Sequence, residues 1–303
     1  MQQADCNLLR AAPFDLNDGV AYQCWREEKL SSRANSVSDL LVCFAQLEPS
    51  ETEIERLKIC LQQNNAVLYQ LSDGVVGDKA FVRQLGLSLG LSRLDGNLCA
   101  DNDAITALQV RKPGAVQGEY IPYSNKGLNW HTDGYYNPLS RQIRAIVMHC
   151  VQPAAEGGEN FLMDHELLYL QLRDLNPAYI EALMRPDAMT IPANVQKGVC
   201  LRAEQSGPVF SILASGHLHM RYSARLRHVI WAHDALTQAA EAALRRLMSE
   251  QNDALLRFRL QAGQGIICNN VLHGRSSFQN SEQQQRLLYR ARYYDRAIEM
   301  SAV

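Results

Sequence analysis

His131 and Asp133, in the run Asn129-Trp130-His131-Thr132-Asp133-Gly134, are the first residues here whose types and spacing suit joint chemistry. On a strand, residues i and i+2 point to the same face, so an imidazole and a carboxylate at that spacing can grip one cation. Alone, the pair is a weak signal, because a single histidine is more often structural than a ligand. His233-Asp234 is adjacent in sequence and would point to opposite faces of a strand. The run from Gly265 to Arg275 reads as a turn, a strand and then His273 just past the strand's end. With His273 the set becomes two histidines and one carboxylate, which leaves three positions open on an octahedral metal. A structural zinc would more often be closed by a fourth protein ligand. The pattern alone does not choose the metal.

The segment Gln285 to Tyr293, with Arg286 thirteen residues after His273, alternates as a strand should. Arg286, Leu288, Arg290 and Arg292 fall on one side, and Leu287, Tyr289, Ala291 and Tyr293 on the other. Three guanidinium groups facing one way are costly to bury without anions. Such a face is either solvated or a carboxylate clamp, since the guanidinium fork matches a carboxylate bidentately. Its place after a candidate ligand favours the clamp.

The elements that must carry these residues are short strands. Strand-like runs recur at 105–110, 143–151, 160–163, 209–213, 255–260, 265–268 and 287–294, many of them separated by Gly, Pro, Asn or Asp. This texture predicts a sandwich or barrel of short strands. Helical stretches at 165–184 and 234–250 interrupt it and are expected on the outside. The first breaks at Asn176-Pro177, because proline disfavours helix in the residue before it. The second starts from Asp234 as an N-cap. Upstream, Ser50 and Glu53 form a capping-box pattern for a helix ending at Asn64-Asn65. A buried strand at 66–69 and a helix at 78–89 follow, while the elements of residues 1–48 are not legible. We expect one catalytic domain over 1–303, with 1–100 a helix and strand portion packed on a core formed by 101–303.

The 303 residues carry 30 basic and 32 acidic side chains, a net charge of -2. That balance offers no basic stripe for nucleic acid. No run approaches the apolar length of a membrane helix. The polar start Met1 to Asp5 lacks the form of a signal peptide. The eight cysteines are scattered singly, without a CxxC pair, and are expected to be buried and reduced. A cytoplasmic protein without nucleic-acid or membrane partners is the expectation.

From about residue 120 to 295 the sequence resembles the Fe(II)/2-oxoglutarate dioxygenases of the taurine dioxygenase and gamma-butyrobetaine hydroxylase type. The resemblance rests on His131-Thr132-Asp133, the strand Ile146 to Cys150, the turn Gly157-Gly158-Glu159-Asn160, Leu272-His273-Gly274-Arg275 and Arg286, in that order. It implies a mainly β fold with flanking helices around a double-stranded β-helix, or jelly-roll, core. It implies iron held by His131, Asp133 and His273, and 2-oxoglutarate held at its distal carboxylate by Arg286. Many relatives carry a threonine where Asn160 stands, so the Asn160 contact is assigned by position. The cysteine-rich N-terminal zinc domain of the gamma-butyrobetaine hydroxylase branch has no counterpart here. In taurine-type relatives an arginine four residues after the 2-oxoglutarate arginine binds the substrate's acidic group. That implies a small anionic substrate on Arg290, with Arg292, Tyr135, Tyr136 and Asn129 as further candidates. Trp130 is expected to pack on the core rim, His149 to be a core histidine and Arg275 to pair with an acidic residue.

The expected reaction is hydroxylation of a C–H bond with O2, releasing succinate and CO2. Desaturation, epoxidation, cyclisation or demethylation are alternative outcomes of the same chemistry. A non-catalytic module that senses 2-oxoglutarate or metal is the alternative of another class. Intact candidate ligands together with Arg286 argue against it. A homo-oligomer is compatible with the resemblance.

Overall fold

The computed structural model describes residues 12–96, 101–111, 121–196, 198–225, 229–249 and 252–298. Expectations for Cys6, Cys99 and the start of the resemblance at residue 120 lie outside them. Two sheets carry the core. The major sheet has six strands in the spatial order Leu41–Cys43, Ala66–Gln70, Gln264–Cys268, Ala145–Gln152, Leu287–Tyr293 and Ile105–Leu108. The first pair is parallel and the rest antiparallel. The minor sheet has four antiparallel strands in the order Leu256–Phe258, Asn160–Met163, Leu272–Arg275 and Leu128–His131. The sheets form a jelly roll without closing into a barrel. The segment before residue 100, expected to pack on the core, instead supplies two strands of the major sheet, because Ala66–Gln70 pairs with Gln264–Cys268 at its centre.

The alternation of side chains explains the layers. On the major sheet Val67, Tyr69, Val147, Ile267, Ala291 and Tyr293 face one way, into a cluster closed by helices α2 (Glu51–Asn64) and α3 (Lys79–Ser88). Leu68, Ile146 and Ile266 face the opposite way and meet Leu162 of the minor sheet. Local signals set the helix ends. The Ser50–Glu53 capping box opens α2, and Asp78 accepts from the Phe81 amide to open α3. The third expected helix divides at Asn176 into α4 (His165–Leu175) and α5 (Pro177–Met184), with Asn176 capping the second. Asp234 caps α6 (Ala235–Leu247) as predicted. Helix α1 (Gly19–Ser32) had no legible signal; it is pinned by Lys29, buried between Asp164 and Glu166.

The six described cysteines are free, and the expectation that they are buried holds for Cys150 and Cys268. Cys24, Cys43 and Cys200 are exposed, on α1, the major sheet's edge strand and a surface hairpin respectively. No helix among the described residues is long and apolar enough to cross a membrane.

His149 is the expected core histidine, stacked on Tyr69, with its Nδ1 3.1 Å from the Tyr69 hydroxyl. Burial pushes it down to about 4, and burial also pushes His219 down to about 3. Both folded values lie below the ordinary value of 6.5. As pH falls below that value the unfolded chain takes protons that the native state refuses, so stability present above pH 6.5 is lost on the way down to pH 4. The loss is about 1.4 kcal/mol per pH unit for each histidine. Urea unfolding between pH 7 and pH 5 should show it, and His149→Gln should flatten the slope by about one proton. Parallel slopes in the two proteins would exclude this role for His149.

Candidate metal centre

His131 and His273 stand directly opposite each other on adjacent strands of the minor sheet. Their ring centroids are 4.4 Å apart. Two expectations change here. His273 lies within the strand Leu272–Arg275 rather than past the end of one, since Val271 ends the preceding turn. Asp133 lies in the turn beyond the strand Leu128–His131, not on the strand. The i, i+2 argument therefore fails in detail, although the turn still returns the carboxylate to the imidazole. Asp133 Oδ1 is 3.6 Å from His131 Nε2 and 3.9 Å from His273 Nε2. One ligand atom from each residue lies within 4.8 Å of the others, and this is the one such group of His, Cys, Asp and Glu among the described residues.

The histidine tautomers follow from their partners. His131 Nδ1 is 2.8 Å from the Asn129 carbonyl and His273 Nδ1 is 2.8 Å from the Val271 carbonyl. A carbonyl only accepts, so both Nδ1 atoms carry the hydrogen and both Nε2 lone pairs face the carboxylate. Burial, and then His131, push His273 down to about 4, which keeps its lone pair free of protons near neutrality. Burial alone would raise the Asp133 carboxyl, but the Arg290 guanidinium beside it holds it well below the usual carboxylate range. Neutral imidazoles and an ionised carboxylate on one side of a small space are the donor set that a divalent iron takes. The residues present fit the metal.

Gly274 shows how tightly the strands converge. A Cβ there would come within 2.0 Å of the Phe161 ring and 2.7 Å of the Leu128 carbonyl oxygen. Trp130 faces away from His131, packs edge-on against Phe161 and donates to the Met248 carbonyl, as expected of a rim residue.

The strand Leu287–Tyr293 brings the arginines inside. Arg286, just before it, is 6% exposed, yet its guanidinium makes no hydrogen bond or ion pair among the described residues. It lies over the Phe278 ring and lines a cavity with Cys150, Gly158, Asn160, Arg259 and Leu288. Burial pulls Arg286 down to about 10. Gly157 makes the turn there with φ of 68°, and a Cβ would meet the Ser277 carbonyl at 2.4 Å. Arg290 Nη1 is 3.0 Å from Asp133 Oδ2, while its Nε is buried with no hydrogen-bond partner. Arg292, 3% exposed, donates through Nη1 to the Tyr136 hydroxyl and through Nη2 to Asp95, while its Nε, like that of Arg290, is buried without a hydrogen-bond partner. Tyr136 also meets Tyr135 edge-on, and the Tyr135 carbonyl accepts from Arg221 Nε. Asn129 is exposed and reaches the centre through its carbonyl.

The structure thus gathers His131, Asp133, His273 and Arg290 at one point, while Arg286 and Asn160 line one cavity together. It ties Arg292 to Asp95 and to the hydroxyl of the half-buried Tyr136. Arg275 does not take the expected acidic partner. Its guanidinium donates to the carbonyls of Ser124 and Lys126, which turn inward beside it. Asp95, Asn270 and Arg259 were missed. Each carried only its polarity as a signal, and their partners lie far away in sequence.

A profile of the family described as taurine catabolism dioxygenase TauD, TfdA family matches residues 61–292. A uridine-5'-phosphate dioxygenase from a Streptomyces species is 30% identical over 203 residues, covering 64% of this chain and 71% of that protein. Another from an Amycolatopsis species is 29% identical over 172 residues, covering 55% and 61%. Among solved structures, the non-haem iron oxygenase OrfP in complex with Fe, succinate and (3S)-hydroxy-L-Arg superposes with a TM-score of 0.59 at 15% identity, over 81% of each chain. At that identity the likeness bears on the fold.

Removing Asp95 should leave Arg292 charged and buried without its anion. Asp95→Ala should cost about 3–5 kcal/mol in denaturant unfolding. Adding Arg292→Met should recover part of that loss. A single-variant loss below ~1 kcal/mol would mean that the pair is not a structural anchor.

Proposed function

This chain belongs to the taurine catabolism dioxygenase TauD, TfdA family and is a 2-oxoglutarate-dependent iron dioxygenase, and we propose that it hydroxylates a small phosphate-bearing substrate. In this reading His131, Asp133 and His273 hold Fe(II), Arg286 binds the distal carboxylate of 2-oxoglutarate and Arg290 binds the substrate's anion. The observation that carries it is a three-ligand cluster touched by Arg290, with a buried guanidinium four residues before Arg290 that has no anion among the described residues. Iron so held supplies the activation of O2 coupled to decarboxylation of 2-oxoglutarate to succinate and CO2.

The chain's own groups do the rest. The two Nδ1 hydrogen bonds hold each imidazole with its Nε2 inward. Arg286 offers a fixed fork at a place walled by Phe278 and Leu288, where a carboxylate is stripped of water and a charge-assisted pair is strong. Asn160, 8% exposed, lines the same cavity and can donate to the same carboxylate. Arg290 keeps one edge on Asp133 and leaves its buried Nε without a partner, so its fork retains a donor for a second anion. Both curated relatives described above act on uridine 5'-phosphate by name. A nucleoside monophosphate is therefore the substrate class to test first, with Tyr135 and Tyr136 beside it. The same reading makes residues 1–303 one catalytic unit that works in the cytoplasm on a small molecule, without nucleic-acid or membrane partners.

Succinate release with Fe(II), ascorbate and 2-oxoglutarate should rise with uridine 5'-phosphate and not with uridine. Equal response to both would remove the phosphate from the proposal. Arg286→Leu should raise the KM for 2-oxoglutarate by about 30-fold or more, as expected for losing a buried charge-assisted contact. Arg290→Leu should raise the substrate KM by orders of magnitude, measured at saturating Fe(II) because the same change removes the cation beside Asp133; an unchanged KM would sink its role. His131→Ala or Asp133→Ala should abolish Fe(II)-dependent succinate formation, and full activity in either would overturn the ligand assignment.

A further inference from the structure

We propose that Asn270 is a positioning residue that fixes Asp133 to the segment carrying His273 and so sets the affinity of the centre for its metal. The proposal rests on the reading of His131, Asp133 and His273 as ligands. Asp133 has left its strand, so no sheet ladder holds its backbone. Its peptide groups are buried and need partners. A single side chain supplies them. The Asp133 amide donates to Asn270 Oδ1 at 2.8 Å, and Asn270 Nδ2 donates back to the Asp133 carbonyl at 2.9 Å. The second hydrogen of Nδ2 goes to the Ile143 carbonyl at 2.6 Å. The amide mimics one rung of an antiparallel ladder and then reaches across to Ile143, two residues before the strand Ala145–Gln152.

Chemistry restricts which side chain can do this. The job needs one acceptor and two donors on a short stem. Aspartate has the shape but no donor when ionised. Serine has one donor, and glutamine is a methylene too long. The orientation of the amide is fixed as well, because a flipped amide would set N–H against N–H and oxygen against two carbonyls. Asn270 is 1% exposed and sits at φ of 50°, a left-handed conformation that asparagine tolerates better than most residues.

The location gives the clamp its consequence. Asn270 lies in the turn between the strands Gln264–Cys268 and Leu272–Arg275, three residues before His273. His273 in turn is the cross-strand partner of His131. One imidazole is therefore referenced to the strand Leu272–Arg275 by sheet register, the second belongs to it, and the carboxylate is tied to its leading turn by Asn270. Loss of the amide frees the carboxylate alone. The expected signature is weakened metal binding rather than general unfolding.

The test titrates the metal-free protein with Co(II) by calorimetry and follows thermal unfolding in parallel. Asn270→Gly removes the side chain without straining the backbone and should weaken binding about 10- to 100-fold, the usual range for groups that orient a ligand. Asn270→Asp keeps the shape and one hydrogen bond but turns an oxygen toward two carbonyls, and it should bind no better than the glycine variant. Leu57→Ala, in the outer core behind the major sheet, serves as a destabilised control and should keep the wild-type affinity. Wild-type affinity in Asn270→Gly or Asn270→Asp overturns the proposal, as does an equal loss in Leu57→Ala. His131→Ala separates the underlying reading, since its failure to weaken binding would mean that the three residues are not the ligands.

Discussion

The interior of this jelly roll carries a row of guanidinium groups, and the need to neutralise them organises the site. Arg286, Arg290 and Arg292 share the inward side of one strand region, and burial makes an unneutralised charge there expensive. Arg292 has the carboxylate of Asp95, which also accepts from the Tyr294 hydroxyl and lies 3.7 Å from Arg141. Arg290 shares Asp133 with the two histidines. Arg286 has no anion among the described residues. Over three two-residue repeats of the strand, the protein's own charge compensation declines from a carboxylate at Arg292 to none at Arg286. Where it is incomplete, an external anion completes it. This gradient gives the centre its polarity: a structural end at Arg292, a metal and substrate region at Arg290, and a co-substrate end at Arg286.

The same charge logic sets the metal ligands. Asp133 is buried, and burial would favour its neutral acid, which is a poor ligand. Arg290 reverses that preference. The histidines face the opposite demand and must stay neutral to coordinate. Burial and mutual proximity push His273 down while backbone carbonyls fix both tautomers. One apolar environment thus serves two opposite requirements, because a cation stands beside the carboxylate and none is hydrogen-bonded to either Nδ1.

Much of this was legible in the sequence where the physics is local. Helix ends at Ser50, Asp78, Asn176 and Asp234 depend on a side chain bonding a backbone amide two or three residues away, so the residue type announces the event. The ligand triad and Arg286 were legible because their spacing repeats a known arrangement. The geometry around them was not. Period-2 reasoning placed Asp133 on a strand, but the chain turns after His131. It placed His273 beyond a strand, but the turn at Asn269-Asn270 starts a new one in the other sheet. Partners at long range were hidden for a different reason. Asp95 is one of 32 acidic residues and lies 197 positions from Arg292, and nothing local marks it as the one that is buried.

Asn270 shows why a polar residue inside an apolar run carries more information than its type suggests. Between Ile267 and Leu272 the pair Asn269-Asn270 reads as a break in a strand. In the structure both are nearly inaccessible, and buried amides persist only when their groups are matched. Asn269 binds Asn65 and the Ala297 amide, fastening the turn to the outer layer. Asn270 binds Asp133 and Ile143, fastening the same turn to the metal side. Two adjacent amides pointing to opposite faces thus join the helical layer to the carboxylate ligand through one short turn. The aim of Asp133 is then set locally, by hydrogen bonds that hold this one turn from both sides.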